Sequence, residues 1–96
     1  MRRPVEFRLI SYDIGDDRRR RRLMRLVEGY AQRVQYSVFE GWLTESQVRR
    51  LLKRAGRYVV APEDSLRIYT LCGACVARID SRGEAAPAPP ASTVVI

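Results

Sequence analysis

One acidic side chain stands at the end of an apolar run, directly before a dense row of arginines. Asp13 closes the run "VEFRLISYD", Asp16 and Asp17 follow, and Arg18–Arg22 are five consecutive arginines. A carboxylate suits Mg²⁺, which binds proteins through one or two carboxylates together with substrate phosphates. A metal held there would polarise a phosphoryl oxygen or activate water. The pattern favours phosphodiester chemistry at Asp13; the alternative is a carboxylate that only caps the following turn.

A single carboxylate per chain is a poor metal site, so the pattern points to a second copy. In a two-fold dimer formed on a sheet face, two Asp13 side chains would approach each other and share one Mg²⁺ ion. Asp16 and Asp17 stand where acidic residues cap helices more often than they bind metals. We therefore expect Asp13 to be the metal ligand and Asp16 or Asp17 to be the helix cap.

Charge is the strongest feature of the composition. The 96 residues carry 18 Lys and Arg against 11 Asp and Glu, a net charge of +7, and Lys53 is the one cation that is not arginine. Arginine matches phosphate geometry, so a basic domain of this kind favours nucleic acid or another polyanion. A GC-rich genome also enriches arginine, but it does not explain the net charge. The chain has no histidine, which excludes Ser-His-Asp triads and His-ligated zinc within it.

Hydrophobic periodicity predicts the elements that position these residues. They are, in order, a strand at 5–13, a helix at 17–30, one bent strand or a tight pair meeting near Tyr36 at 33–43, a helix from Thr44 to about Gly56, and a strand at 65–71. Thr44 and Gln47 have the spacing of a capping box. With right-handed crossovers, this order matches an α+β fold, the ferredoxin-like βαββαβ sandwich.

The two sides of the first strand are expected to have different partners. Val5, Phe7 and Leu9 lie on one side, and Ile10 and Tyr12 make the second side apolar too. The helices of a ferredoxin-like sandwich lie on one face of its sheet. The apolar side of Ile10 and Tyr12 is therefore expected to pack against another copy of the chain, as a homodimer.

The chain is predicted to divide at residue 79. Residues 1–79 form the ferredoxin-like domain, and residues 80–96 form an Ala/Pro-rich linker that ends in the strand-forming "TVVI". A strand after an extended linker typically reaches a distant sheet edge, so we expect it to pair with the partner subunit. Apolar runs stay well short of the roughly 18 residues of a membrane span, and the basic start lacks a signal-peptide core. A cytoplasmic location without membrane contact is expected.

Three motifs are specific enough to indicate a family. The sequence has "YDIGDDRRRRR" after an apolar strand, "RVQYSVFEGWL" after the first helix and "LRIYTLCGAC" near the end of the domain. In wording and spacing, the first two resemble the family of CRISPR-associated protein two, the small adaptation protein of prokaryotic CRISPR systems. The C-terminal "PPASTVVI" is similar in kind to the exchanged C-terminal strand of that family.

The resemblance implies a ferredoxin-like homodimer with Mg²⁺-dependent endonuclease activity on single-stranded RNA or duplex DNA. It also implies a place at the centre of the spacer-integration complex, where the CRISPR integrase (CRISPR-associated protein one) performs the strand transfer. Asp13, in the motif "YDI", matches the expected metal ligand and catalytic residue. The positions that match family residues for activity or substrate contact are Tyr12, Arg20, Arg22, Arg33, Ser37 and Phe39.

The arginine row has two functional interpretations. Arg18 and Arg22 share one face of the predicted helix, whereas Arg20 lies in line with Leu23. These arginines are expected to bind phosphates, either for cleavage by this chain or for a non-catalytic scaffold that holds duplex DNA while the integrase reacts. A solvated basic face is the structural alternative.

Aromatic and thiol side chains complete the candidates. Tyr36, Phe39 and Trp42 are interpreted as packing residues rather than base-stacking platforms. Cys72 and Cys75 form a CxxC, a pattern typical of redox chemistry or of half a zinc site. Because the other half of a Cys₄ site is missing, we expect a structural or incidental role, with both thiols reduced in the cytoplasm.

Overall fold

A long central strand organises the sheet. The computed structural model describes residues 4–90 and 94–95. Its four main strands are β1 (Pro4–Asp13), β2 (Gln32–Gln35), β3 (Val38–Leu43) and β4 (Ser65–Leu71). They lie in the order β2-β3-β1-β4, and every neighbouring pair in this order is antiparallel. Ile10 of β1 pairs with Phe39 on one side and with Ile68 on the other, so β1 is hydrogen-bonded along both edges.

Three helices join the strands, and the two long ones begin at the predicted caps. They are α1 (Asp17–Glu28), α2 (Glu45–Ala55) and α3 (Gly73–Val76), with a 3-10 turn at Gly56–Tyr58. The Asp16 carboxylate accepts from the Arg19 N–H at 2.9 Å. The Gln47 N–H donates to Thr44 Oγ1 at 3.2 Å, and the Thr44 N–H donates to the Gln47 side chain at 2.8 Å. The predicted cap and capping box are confirmed, whereas α3 was not predicted.

The element order confirms the predicted ferredoxin-like βαββαβ fold. The segment 33–43 is a tight pair of strands that turns at Tyr36 and Ser37, as one of its two predicted forms required. The buried core lies between one face of the sheet and the two long helices. It consists of Ile10, Tyr12, Ile14, Leu23, Val27, Phe39, Leu43, Val48, Leu51 and Ala55.

The expectation for the two sides of β1 was wrong. Ile10 and Tyr12 do not face a partner subunit, because they are buried in the core beneath the helices. Val5 and Phe7 are buried on the opposite face, where the Phe7 ring meets Trp42 edge-on at 5.4 Å. Both sides of β1 carry apolar residues, so its pattern could not say which side the helices cover.

Arg8 shows why the polar residues of β1 did not reveal which side of the strand the helices cover. It lies on the same side of the strand as Ile10 and is 4% exposed. Its guanidinium donates to Thr70 Oγ1 at 2.7 Å and to the Leu43 carbonyl at 3.3 Å, and it lies 3.5 Å from the Glu45 carboxylate. These contacts compensate the buried charge through its two terminal nitrogens, while Nε has no hydrogen-bond partner among the described residues. A polar residue here therefore does not mark a solvent face.

The C-terminal segment returns to the sheet. The Trp42 indole donates to the Pro87 carbonyl at 2.7 Å, and Gln32 contacts Glu84 at 3.2 Å. A fifth strand, β5 (Val94–Val95), pairs in parallel with Pro4–Val5 of the same chain. Thr93 and Ile96 of the predicted strand lie outside the described residues. The boundary at residue 79 and strand exchange with a partner stay predictions. Among the described residues, no helix is long and apolar enough to cross a membrane.

Adjacent leucines of α2 test the position of the core. Leu51 is fully buried, whereas Leu52 is 46% exposed. We expect Leu51→Ala to lower the free energy of unfolding by about 2–5 kcal/mol, because it leaves a cavity in the core. Leu52→Ala removes the same atoms and changes helix propensity equally, and it should cost well under half as much. Urea denaturation of both variants measures the difference, and equal losses of stability would contradict the assigned core face.

Candidate metal and nucleic-acid site

Asp13 is the terminal residue of β1 and lies opposite Ser65 of β4. Its side chain is exposed. Within the described part of the chain, its carboxylate makes no hydrogen bond and no ion pair. The alternative that Asp13 caps the following turn is therefore not realised among these residues. Both carboxylate oxygens are accessible to an external ligand.

Tyr12 and Phe39 fix the strand that presents Asp13. The two rings stack with centroids 6.0 Å apart, and both residues are buried. The Tyr12 N–H donates to the Ser37 carbonyl at 3.2 Å. Burial raises the pKa of the Tyr12 hydroxyl, and the positive charge of Arg33 opposes that shift. Tyr12, Ser37 and Phe39 are thus brought together next to Asp13, where they hold the backbone.

Tyr36 lies at the turn between β2 and β3, and two of the predicted arginines lie near its ring. Its side chain is 68% exposed. The Arg33 guanidinium lies 5.3 Å from the ring centroid, and the Arg20 guanidinium lies 6.0 Å from it. The interpretation of Tyr36 as a packing residue was wrong, because a two-residue turn carries its ring out of the sheet. Packing is confirmed for Phe39 and Trp42, whose rings contact Tyr12 and Phe7.

The five consecutive arginines separate into different roles. Arg20 donates to the Ile14 carbonyl at 3.1 Å and pairs with Asp17, which fixes its direction. Arg19 turns to the buried Asp64. Arg18 and Arg22 are exposed and have no ion pair within residues 4–90. The structure therefore leaves Arg18 and Arg22, which are four residues apart on α1, accessible.

Asp64 is a buried carboxylate that sequence reasoning missed. It accepts from the Gly15 N–H at 2.9 Å, from the Val60 N–H at 3.0 Å and from Arg19 at 2.8 Å. These bonds connect the loop after Asp13 to the loop that precedes β4. The two backbone donors, Gly15 first, are the main reason that the pKa of the Asp64 carboxyl lies below its ordinary value. Its partners lie 4, 45 and 49 residues away in sequence, so no local signal indicated them.

The acids near the arginine row thus differ in availability. Asp16 caps α1, Asp17 pairs with Arg20, and Asp64 is buried, so Asp13 keeps a free carboxylate. Within the described ranges, no cluster of three or more His, Cys, Asp and Glu side chains is arranged to hold a metal ion. One chain therefore supplies a single accessible carboxylate ligand at this point. A cation bound there would need further oxygen ligands from a second copy, a phosphate or water.

The fold and the site define a class: a small ferredoxin-like protein with a free carboxylate at a strand end and an exposed arginine surface. Residues 6–79 match a protein-family model whose description is "CRISPR associated protein Cas2". The chain belongs to the Cas2 family. The predicted function class, a CRISPR-associated protein of an endonuclease family, is confirmed.

Similar proteins cover most of the chain. A relative from Synechocystis sp., "CRISPR-associated endoribonuclease Cas2 3", is 46% identical over 92% of this chain and 96% of its own. "CRISPR-associated endonuclease Cas2 2" from Thermus thermophilus is 45% identical over 67% of this chain and 71% of its own. The crystal structure of Streptococcus pyogenes Cas2 has a TM-score of 0.68 at 29% identity, over 80% of this chain and 99% of its own. A chain of a partial Cas6-RT-Cas1–Cas2 complex has a TM-score of 0.71 at 27% identity, over 95% of this chain and 99% of its own.

Acidification tests the role of Asp64. Its lowered pKa means that the unfolded chain binds a proton more readily than the folded chain, so stability falls as pH drops from about 4 through the folded value. We expect Asp64→Asn to lower the melting temperature at pH 7 by about 5 °C or more, and to remove part of the acid-induced loss.

Thermal unfolding between pH 7 and pH 3 measures both effects. Asp80→Asn is the matched control, because Asp80 is exposed and makes no hydrogen bond among the described residues. If Asp64→Asn and wild type lost stability in parallel on acidification, the assigned carboxylate role would be refuted.

Proposed function

We propose that this chain is a Mg²⁺-dependent phosphodiester endonuclease that acts in CRISPR adaptation, with Asp13 as the metal ligand and catalytic residue. The observation that carries the proposal is the state of the four acids near the arginine row. Asp16, Asp17 and Asp64 are engaged by protein groups, whereas Asp13 is exposed beside them without a partner in the described chain. The names of the Synechocystis and Thermus thermophilus relatives, endoribonuclease and endonuclease, support the reaction class.

A homodimer would complete the metal site. Leu9 and Tyr69 are register partners of β1 and β4, and Tyr69 is 48% exposed on the sheet face away from the core. Asp13 lies on this same face, because side chains four residues apart in a strand point the same way. Two copies that pack these faces together would bring two Asp13 carboxylates into one site. Carboxylate oxygens fit Mg²⁺, which when bound would polarise a phosphoryl oxygen or activate water.

The surrounding side chains would position the nucleic acid. Arg18 and Arg22 are free to pair with backbone phosphates near the start of α1. The exposed Tyr36 ring offers a surface on which a base can stack, and Arg20 and Arg33 lie against it. Tyr12 and Phe39 would keep the end of β1 rigid while Asp13 binds. We propose single-stranded RNA or duplex DNA as the substrate.

A second candidate function is a non-catalytic scaffold that holds duplex DNA for the CRISPR integrase. It is favoured by a second basic surface, the groove of about 410 Å³ lined by Leu26, Lys53, Arg54, Arg57 and Tyr58. Arg25 and Arg50 line the adjoining cleft between α1 and α2. The structural likeness to a chain in a partial Cas6-RT-Cas1–Cas2 complex supports an integrase of the Cas1 type as partner. A scaffold does not require Asp13, so substitution of that residue distinguishes the two functions.

Cleavage and binding measured together on Asp13→Ala test the enzyme. With Mg²⁺, we expect cleavage of labelled RNA or duplex DNA to fall by at least about 100-fold, because the metal contributes several kcal/mol to the transition state. Binding in EDTA should stay within a few-fold of wild type. Asp80→Asn should cut like wild type. If Asp13→Ala retained wild-type cleavage, the catalytic assignment of Asp13 would be wrong, and the activity would come from another site or a contaminant. If the wild type bound nucleic acid without cutting it, the scaffold function would stand.

Salt dependence tests the arginine surface under either function. Each phosphate that a side chain neutralises adds about 0.9 to the slope of log affinity against log salt on duplex DNA. We expect Arg18→Gln and Arg22→Gln each to make that slope shallower by about 0.9 for every phosphate that the arginine neutralises in the complex. Arg49→Gln is the control, because Arg49 is exposed but already lies 3.8 Å from the Glu45 carboxylate. If all three variants kept the wild-type slope, Arg18 and Arg22 would form only a solvated face.

A further inference from the structure

Two thiols that the proposed function does not use lie where the sheet passes into the C-terminal segment. Cys72 follows β4 directly, and Cys75 lies inside α3. Both side chains are exposed, and both sulfurs are free thiols. Their Sγ atoms are 3.7 Å apart. The two thiols therefore face each other at the protein surface.

The backbone holds this pair in one helical turn. The Val76 N–H donates to the Cys72 carbonyl at 3.0 Å, and the Arg78 N–H donates to the Cys75 carbonyl at 3.0 Å. α3 packs against β1 and β4. Residues three apart in a helical turn have Cα atoms about 5 Å apart, within the span that a disulfide bridges. The spacing of the backbone is therefore compatible with a disulfide between the two sulfurs.

The two thiols are chemically unequal. The Cys75 N–H, then the Cys75 thiol and the Ala74 N–H, lie close to the Cys72 sulfur and lower the pKa of the Cys72 thiol, because they stabilise its thiolate. The hydrogen bond between the two thiols, together with the negative charge of the Cys72 thiolate, raises the pKa of the Cys75 thiol. Cys72 is therefore the better nucleophile, and Cys75 is positioned to react second.

A zinc site is the other chemistry of a CxxC, and the described residues do not complete one. Two thiolates are half of a Cys₄ site, and the chain has no histidine. Among residues 4–90, no third Cys, Asp or Glu joins the pair in a metal-binding cluster. A disulfide needs only the two sulfurs that are already in contact.

We propose that Cys72 and Cys75 form a reversible dithiol–disulfide pair that exchanges with small-molecule disulfides of the glutathione type. The Cys72 thiolate attacks one sulfur of the disulfide RSSR, forming a mixed disulfide and releasing RS⁻. Cys75 gives its proton to solvent base, and its thiolate attacks the Cys72 sulfur and releases the second RS⁻. After protonation of both leaving groups, the chain has lost two electrons and two protons, and RSSR has become two RSH.

Intact mass and thiol alkylation test the proposal on the full chain. The protein is incubated with glutathione disulfide, alkylated with iodoacetamide and weighed, then reduced with dithiothreitol and weighed again. We expect a mass decrease of about 2 Da with neither cysteine alkylated, because one intrachain disulfide removes two hydrogens. Reduction should restore two alkylatable thiols. Circular dichroism of each variant confirms that it is folded.

The single variants assign the order of attack. In Cys75→Ser, Cys72 should accumulate a glutathione adduct, because no second thiol displaces it. In Cys72→Ser, the adduct on Cys75 should form several-fold more slowly. Three outcomes would overturn the proposal: both thiols still alkylated after glutathione disulfide, disulfides only between two chains, or thiols protected by stoichiometric zinc until EDTA is added.

Discussion

Strand β1 is hydrogen-bonded on both edges and covered by apolar side chains on both faces, and the rest of the molecule is arranged around it. β3 and β4 occupy its edges, and the two long helices cover the face that carries Ile10 and Tyr12. This leaves β1 little freedom to shift, since a slip of one residue would exchange the two faces. Asp13, as the last residue of this strand, is held by the most constrained element of the sheet.

The second constraint is the buried carboxylate of Asp64. A buried charge is tolerated when its oxygens are hydrogen-bonded, and Asp64 meets that condition with two backbone donors and Arg19. By binding the Gly15 N–H, it fixes the turn that leads from Asp13 into α1. Arg19 is therefore structural, whereas Arg18 and Arg22 of the same row stay exposed. A uniform run of one residue type thus contains both packing and surface roles.

The C-terminal part of the chain runs from the thiol pair back to the sheet face that carries Phe7 and Trp42. α3 begins directly after β4, and the segment that follows returns to Trp42 through the Pro87 carbonyl. The same side of the sheet carries Leu9 and Tyr69, the face that we propose packs against a second copy. Cys72 and Cys75 lie at the start of this path. The thiol pair therefore lies next to the segment that returns to Trp42. The Asp13 carboxylate lies at the other end of β4, opposite Ser65.

Local sequence determined the elements, their caps and the candidate residues. Period-two and helical patterns located β1, β4, α1 and α2, because backbone geometry repeats at those periods. The motif around Asp13 indicated the family and made Asp13 the candidate metal ligand, and the structure showed that its carboxylate is free among the described residues. Only the tertiary structure decided which face of β1 the helices cover, since both faces are apolar. It also decided that Arg19 pairs with Asp64 and that Tyr36 is exposed between Arg20 and Arg33. The burial of the β1 faces and the Arg19–Asp64 pair depend on contacts between residues far apart in the chain, which no local pattern encodes. The exposure of Tyr36 depends on where the turn between β2 and β3 falls, which the alternating pattern of residues 33–43 left open.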